Sequence, residues 1–151
     1  MSRSVAALSL IPILLASVSV PPPAAADEIR GAWLTREYHL ADGTVHPLSG
    51  TIFFAETRWQ VLFFVLDADG EPRRGSAEGG TYSVDGDRLE FRHEHNLSVG
   101  QGMEGLAESA LRMTVRSAAN AEAEPARFEL SGDQLIIFFP SGNRMRFERA
   151  R

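Results

Sequence analysis

Cysteine and lysine are both missing from this chain, and every one of its fifteen basic residues is arginine. Without lysine there is no Schiff-base nucleophile and no P-loop ammonium. Without cysteine there is no thiol nucleophile, no thiolate metal site and no disulfide, so stability is left to apolar burial and a closed hydrogen-bond ladder. Clustered positive charge is lacking too. Beyond residue 26 fourteen arginines stand against twenty acids, a balance of −6. That argues against nucleic acid and anionic membrane surfaces as partners, because neutralising phosphates needs concentrated cations.

Long apolar runs are equally scarce. The one uncharged run, VAALSLIPILLASVSV, is shorter than the roughly 20 residues of a spanning helix, contains Pro12 and ends in three prolines. Arg3 precedes it, and Ala24 and Ala26 occupy the small-residue positions before Asp27. This pattern predicts a secretory signal peptide over 1–26 and a mature chain over 27–151, exported to a periplasm or the medium without stable membrane insertion. A membrane anchor is the competing reading. The mature length suits one domain.

What is present is turn chemistry at short intervals. Asp42-Gly43, Asp69-Gly70, Gly79-Gly80, Asp85-Gly86, Ser131-Gly132 and Ser141-Gly142-Asn143 separate runs rich in Val, Ile, Phe, Tyr and Thr. They predict an all-β fold, an antiparallel up-and-down barrel of about eight strands. Strands are expected near 31–40, 50–56, 58–67, 80–84, 87–96, 111–118, 126–130, 133–139 and 143–149. Met103, Leu106, Ala107 and Ala110 recur at helical spacing, so a short helix or lid is expected over 102–110. The small, acidic AANAEAEPA, 118–126, suits an exposed loop, and GSAEGG lacks the helix that a phosphate cradle requires.

Hairpin parity sorts side chains by face. A two-residue turn at Asp85-Gly86 puts Tyr82 and Val84 with Leu89, Phe91, His93 and His95. The turns at Ser131-Gly132 and around Gly142 gather Phe128, Leu130, Leu135, Ile137, Phe139, Met145, Phe147 and Arg149. The run VLFFVL, 61–66, is apolar on both faces, and its outer face needs a cover. The 102–110 segment is the first candidate, a second copy in a homodimer the other.

His93 and His95, in LEFRHEH, turn the buried face of a strand from hydrocarbon to imidazole. Trp33, Thr35, Glu37 and His39 share a face of the first strand by the same count, so three imidazoles and a carboxylate could converge as a zinc constellation. Leu34, Tyr38 and Leu40 on the opposite face are the better core residues, which would turn Glu37 and His39 outward. Three readings of the histidine pair follow: metal ligands, anchors for a polar ligand group that titrate near neutrality, or rim side chains facing solvent. Glu90, Arg92 and Glu94 read as a solvated ladder on the other face, and no Gly-x-Ser-x-Gly elbow occurs.

Gly31-Ala32-Trp33 at the first strand and Met145-Arg146-Phe147-Glu148-Arg149 at the last, with GGTYSVDGDRLEF and the GDQL hairpin between them, resemble the lipocalin-like branch of the calycin superfamily. The likeness spans nearly all of the mature chain. It implies an eight-stranded barrel holding a small hydrophobic or amphipathic ligand, with Trp33 closing the floor beneath a stacked Arg149. The expected binding residues are then His93, His95, Tyr82, Phe91 and Phe128, with Trp33 and Arg149 at the closed end. No cofactor is assigned. A non-enzymatic binding module is favoured over a metal-dependent enzyme and over an interaction module that uses the outer apolar patch.

Overall fold

A computed structural model describes residues 25–151, so most of the expected signal peptide lies outside the described residues. A short helix, α1 (Ala25–Ile29), leads into nine strands: β1 (Gly31–His39), β2 (Val45–Phe54), β3 (Arg58–Leu66), β4 (Pro72–Asp85), β5 (Arg88–Gly100), β6 (Ser109–Val115), β7 (Glu122–Ser131), β8 (Gln134–Phe138) and β9 (Arg144–Arg149). All pairings are antiparallel. β1 to β5 follow one another, β5 pairs with β7, and β8 and β9 return to β1, closing an eight-stranded barrel.

β6 is the ninth strand and has its own place. It pairs with His95–Gly100 of β5, while β7 pairs with Arg88–His93 of the same strand. β6 and β7 therefore run in one direction along β5, interrupted by a single 3-10 turn at Ala118–Asn120. β8 meets only residues 127–131 of β7, so β6 has no second neighbour and the wall beside it is open.

Alternation supplies the core. Trp33, Ile52, Leu89, Phe91, Ile137 and Phe147 point inward and are almost fully buried. Phe54, Tyr82, Phe91 and Trp59 form a chain of ring contacts across β2 to β5, with centroids 4.6–6.2 Å apart. The Asp85 and Ser131 hairpins pair one residue differently from the expected turns, Asp85 with Arg88 and Ser131 with Gln134. The shift changes no face, because the sum of paired positions moves by two.

Four expectations are corrected. β4 starts at Pro72 and not near residue 80, since RRGSAEGG is strand; its glycines let neighbouring backbone come close, and a Cβ on Gly80 would lie 1.8 Å from the Arg92 carbonyl oxygen. The 102–110 segment is no helix: Met103 and Leu106 bridge across a tight turn in which Gly105 adopts φ +70°. It sits over the barrel mouth, where a Cβ on Gly105 would meet Leu40 at 2.5 Å, and not on the outer face. Leu62 and Phe64 remain about half exposed there, so the expected intramolecular cover is not formed. Finally, two bulges reverse the face order, one between Thr35 and Glu37, the other at Glu94, which is the extra residue where Gly80 pairs with His93 and Gly79 with His95.

Candidate functional site

The closed end is built from both chain ends. Trp33 is fully buried and its indole N–H donates to the Ile29 carbonyl at 2.7 Å. Arg149 stacks over the ring with its guanidinium carbon 4.1 Å from the ring centre, and donates to the carbonyls of Glu28 and Arg30. The stack and the two carbonyl bonds pin α1 beneath the barrel.

Above this floor lies a cavity of ≈ 650 Å³. Its depth is apolar, with Ile52, Trp59, Val61, Phe91, Ile137 and Phe147 in the wall. Its upper half carries the charged and polar lining, with Tyr38, Asn96 and Ser98 set among Phe63, Val65 and Phe139. Tyr38 accepts a hydrogen bond from the Asn143 amide at 2.7 Å, and burial raises its phenol pKa. The 101–107 loop crosses the mouth, with Leu106 in the cavity wall. Arg74 donates to the carbonyls of Gln101 and Ala107, and the His46 ring Nε2 bonds the Glu104 carbonyl at 2.9 Å.

His93 is the centre of the polar half. Its Nδ1 lies 2.9 Å from Glu78 and its Nε2 3.1 Å from Glu124, and the ring stands edge-on to Trp59 at 5.1 Å. Both nitrogens face carboxylates, so both are donors and the ring is an imidazolium. The hydrogen bonds to Glu124 and then Glu78 raise its pKa to about 9 against the pull of desolvation. Burial pushes Glu78 up, but the bonds from His93 and Ser76 outweigh it and leave the carboxyl below its usual range.

The open wall beside β6 carries further charge. Arg116 pairs with Glu122 at 3.2 Å. Arg112 also lines the cavity and has no carboxylate partner among the described residues.

The expected site residues separate into four places. His93 and Phe91 line the cavity. Tyr82 and Phe128 are packed into the core, the Tyr82 hydroxyl donating to the Ala55 carbonyl at 2.6 Å, and Trp33 and Arg149 form the floor plug beneath it. None of these four lines the cavity. His95 is corrected outright: the Glu94 bulge turns it to the outer surface and buries Glu94, which pairs with Arg58 at 2.9 Å. The β1 bulge likewise directs Tyr38 inward and leaves Glu37 and His39 with Arg146 and Arg144 outside. Arg146 and His39 there lower the Glu37 pKa to about 2.

The imidazole and carboxylate constellation considered for zinc is therefore not assembled. Among the described residues no group of three His, Asp or Glu converges as a ligand set. Glu78, Glu124, Trp59 and Arg112 escaped the sequence reading. Two of them stood in stretches, GSAEGG and AEAEPA, whose small residues read as loop.

No family model matches the chain, and no curated protein matches it. Among solved structures it is similar to a lipocalin-like protein from Bacteroides uniformis, at 18% identity and a TM-score of 0.50, with 82% of this chain and 99% of that one covered. It is also similar to an uncharacterized protein from Bacteroides eggerthii, at 14% identity and a TM-score of 0.47 over 80% of this chain and 98% of that one. The fold is lipocalin-like. The closed barrel, the plugged floor and the mouth crossed by a loop give this lipocalin-like chain one deep interior compartment, and the β6 edge gives it a side opening.

Proposed function

We propose that the chain is an exported binding protein that holds a small amphipathic molecule, its apolar body in the depth of the barrel and its polar end at the mouth. One observation carries the reading: the interior volume is apolar below and charged above, the arrangement that orients a ligand with one polar end. Trp59 and Phe91 form the apolar wall. Arg112, which lacks a carboxylate partner, meets an anionic head group. His93 is not that anchor, since both of its nitrogens are occupied by carboxylates.

Export at Asp27 is compatible with this role, because Glu28, Ile29 and Arg30, whose carbonyls hold the floor together, remain in the mature chain. N-terminal sequencing of secreted protein tests the cleavage point. An intact Met1 in a membrane fraction would favour the anchor.

Titration with a fatty-acid series tests binding. Saturable binding should change Trp59 emission. The change should vanish in Trp59→Phe, because Trp33 lies beneath the floor. Arg112→Gln should weaken a carboxylate probe about tenfold, the roughly 1.4 kcal/mol that an exposed arginine at the low end of the charged hydrogen-bond range contributes, and leave its alcohol analogue unaffected. Absence of saturable binding across fatty acids, retinoids and aromatic probes would overturn the reading.

A further inference from the structure

One side of β6 turns Arg112 and Thr114 toward the cavity, while its free backbone edge faces no other strand. The Arg116 amide donates to the Glu94 carbonyl at 2.7 Å, so the peptide groups of Arg116 face β5. Strand alternation then turns those of Thr114 and Arg112 the same way, and aims the N–H and C=O of Leu111, Met113 and Val115 at the vacant side. An edge of this kind is a template for another strand.

The side chains of those same three residues stand on the outer face, 57%, 72% and 81% exposed. They continue an apolar surface that includes Leu97 and Val99 on β5 and Leu62 and Phe64 on β3. Exposed apolar edges are rare in monomers, which blunt them with charge, proline, bulges or a covering element. β6 has no proline and no covering element among the described residues, and its one charge, Arg112, is turned to the cavity side and away from the apolar face.

We propose that this edge binds a second copy of the chain: two β6 strands pair antiparallel about a twofold axis at Met113, joining the barrels through one continuous sheet. The strand's own sequence is self-complementary in one register. With the axis at Met113, Leu111 lies opposite Val115 of the second copy and Arg112 opposite its Thr114. All three outward-facing peptide units then exchange hydrogen bonds in pairs. An axis at Arg112 sets Arg112 against itself, and one at Thr114 sets Arg112 against Arg116. Like charges directly opposed destabilise a sheet. An axis at Leu111 leaves Val115 beyond the end of the partner strand. Only the Met113 register uses the whole edge without opposing arginines. It also brings Arg112 and Thr114 of the second copy to the open wall of the cavity, where the same residues of the first copy already stand.

The absence of native cysteine makes one introduced thiol an unambiguous reporter. A hydrogen-bonded antiparallel pair sets its Cα atoms about 5.5 Å apart, within the usual disulfide range of roughly 4.4–6.8 Å. Met113→Cys in the mature chain should therefore oxidise to a covalent dimer. Leu111→Cys should not, its two copies being roughly 14 Å apart along the paired strands, and neither should Val99→Cys. Light scattering should give the parent twice the chain mass. Met113→Lys should be monomeric with an unchanged circular dichroism spectrum, because the backbone bonds of Arg112, Thr114 and Arg116 that hold β6 to β5 are untouched.

A monomeric parent at every concentration, equal crosslinking through all three cysteines, or a dimer that survives Met113→Lys would each overturn the proposal. If Met113→Lys fails to fold, the contrast between Met113→Cys and Leu111→Cys still decides. Ligand binding in the barrel does not enter these readouts, so either reading can fail alone.

Discussion

With Glu78 on one ring nitrogen and Glu124 on the other, His93 keeps its second proton far above the pH at which a free imidazole loses it. A folded pKa of about 9, raised from 6.5, contributes stability that is fully present below 6.5 and is lost as pH rises through 9. Glu78, shifted the other way, contributes above its ordinary pKa and loses that contribution as pH falls through its lowered value. The cluster is thus held together through the neutral range. His93→Gln should lower unfolding free energy by about 2–3 kcal/mol at pH 6, since two carboxylates are left facing each other, and should flatten the decline of stability between pH 6.5 and 9. Urea melts across that range measure both. An unchanged pH profile would show that the pair is solvated and not coupled. Carboxylate-probe affinity should likewise stay level from pH 7.5 to 6, where titrating rim histidines would have made it rise. The inward face of His93 was legible from alternation with Leu89 and Phe91. His95 was not, because a bulge adds one residue and periodicity carries no mark of where it falls.

Among the elements, β4 and β5 show best what a pattern of residue types can and cannot convey. β5 reads as a strand from its alternation, whereas the first half of β4 is built of Gly75, Ser76, Ala77, Glu78 and Gly79, residues that on composition signal a loop. The strand exists because its neighbours supply the apolar groups and its small residues allow close approach. Gly80 is the strictest case: besides the 1.8 Å approach to the Arg92 carbonyl, an added Cβ would stand 3.0 Å from the Glu94 amide. Both contacts are backbone on the bulged stretch, which cannot swing aside as a side chain would. Gly80→Ala should therefore destabilise the barrel by about 1–3 kcal/mol, the cost of forcing a methyl into a filled site, with the largest loss of amide protection at residues 92–95. Hydrogen exchange would locate it. A loss spread evenly over the sheet would argue that the bulge is not the point of strain. The segment at 102–106 carries a similar lesson, for its helical spacing arises from Met103 and Leu106 both reaching the core from a tight turn.

For the molecule as a whole, closure replaces the covalent links that the composition forbids. β9 pairs with β8 on one side and β1 on the other, so it is the strand that joins the end of the chain to its beginning. It also brings Met145 and Phe147 into the core and Arg149 onto Trp33. That architecture, including the floor contact, was readable from Gly31-Ala32-Trp33 and the final Arg149 together. The side opening was not, because it depends on where pairing changes from β6 to β7 along β5. Without β9 the barrel has two free edges, and its interior meets water along the whole length of the gap. A chain ending at Asn143 should consequently lose the single cooperative transition expected of the 27–151 chain and bind hydrophobic dye in the manner of a loosely packed state. Because the lost strand is one contiguous segment, a synthetic peptide of residues 144–151 should restore the transition when added in excess, its binding free energy adding to the stability of the closed form. The peptide carrying Arg149→Ala should restore less, by the roughly 0.5–2 kcal/mol of the ring contact and the two carbonyl bonds that go with it. Cooperative melting of the truncated chain without any peptide would show that the remaining seven barrel strands can close on themselves, and that β9 decorates the barrel without completing it.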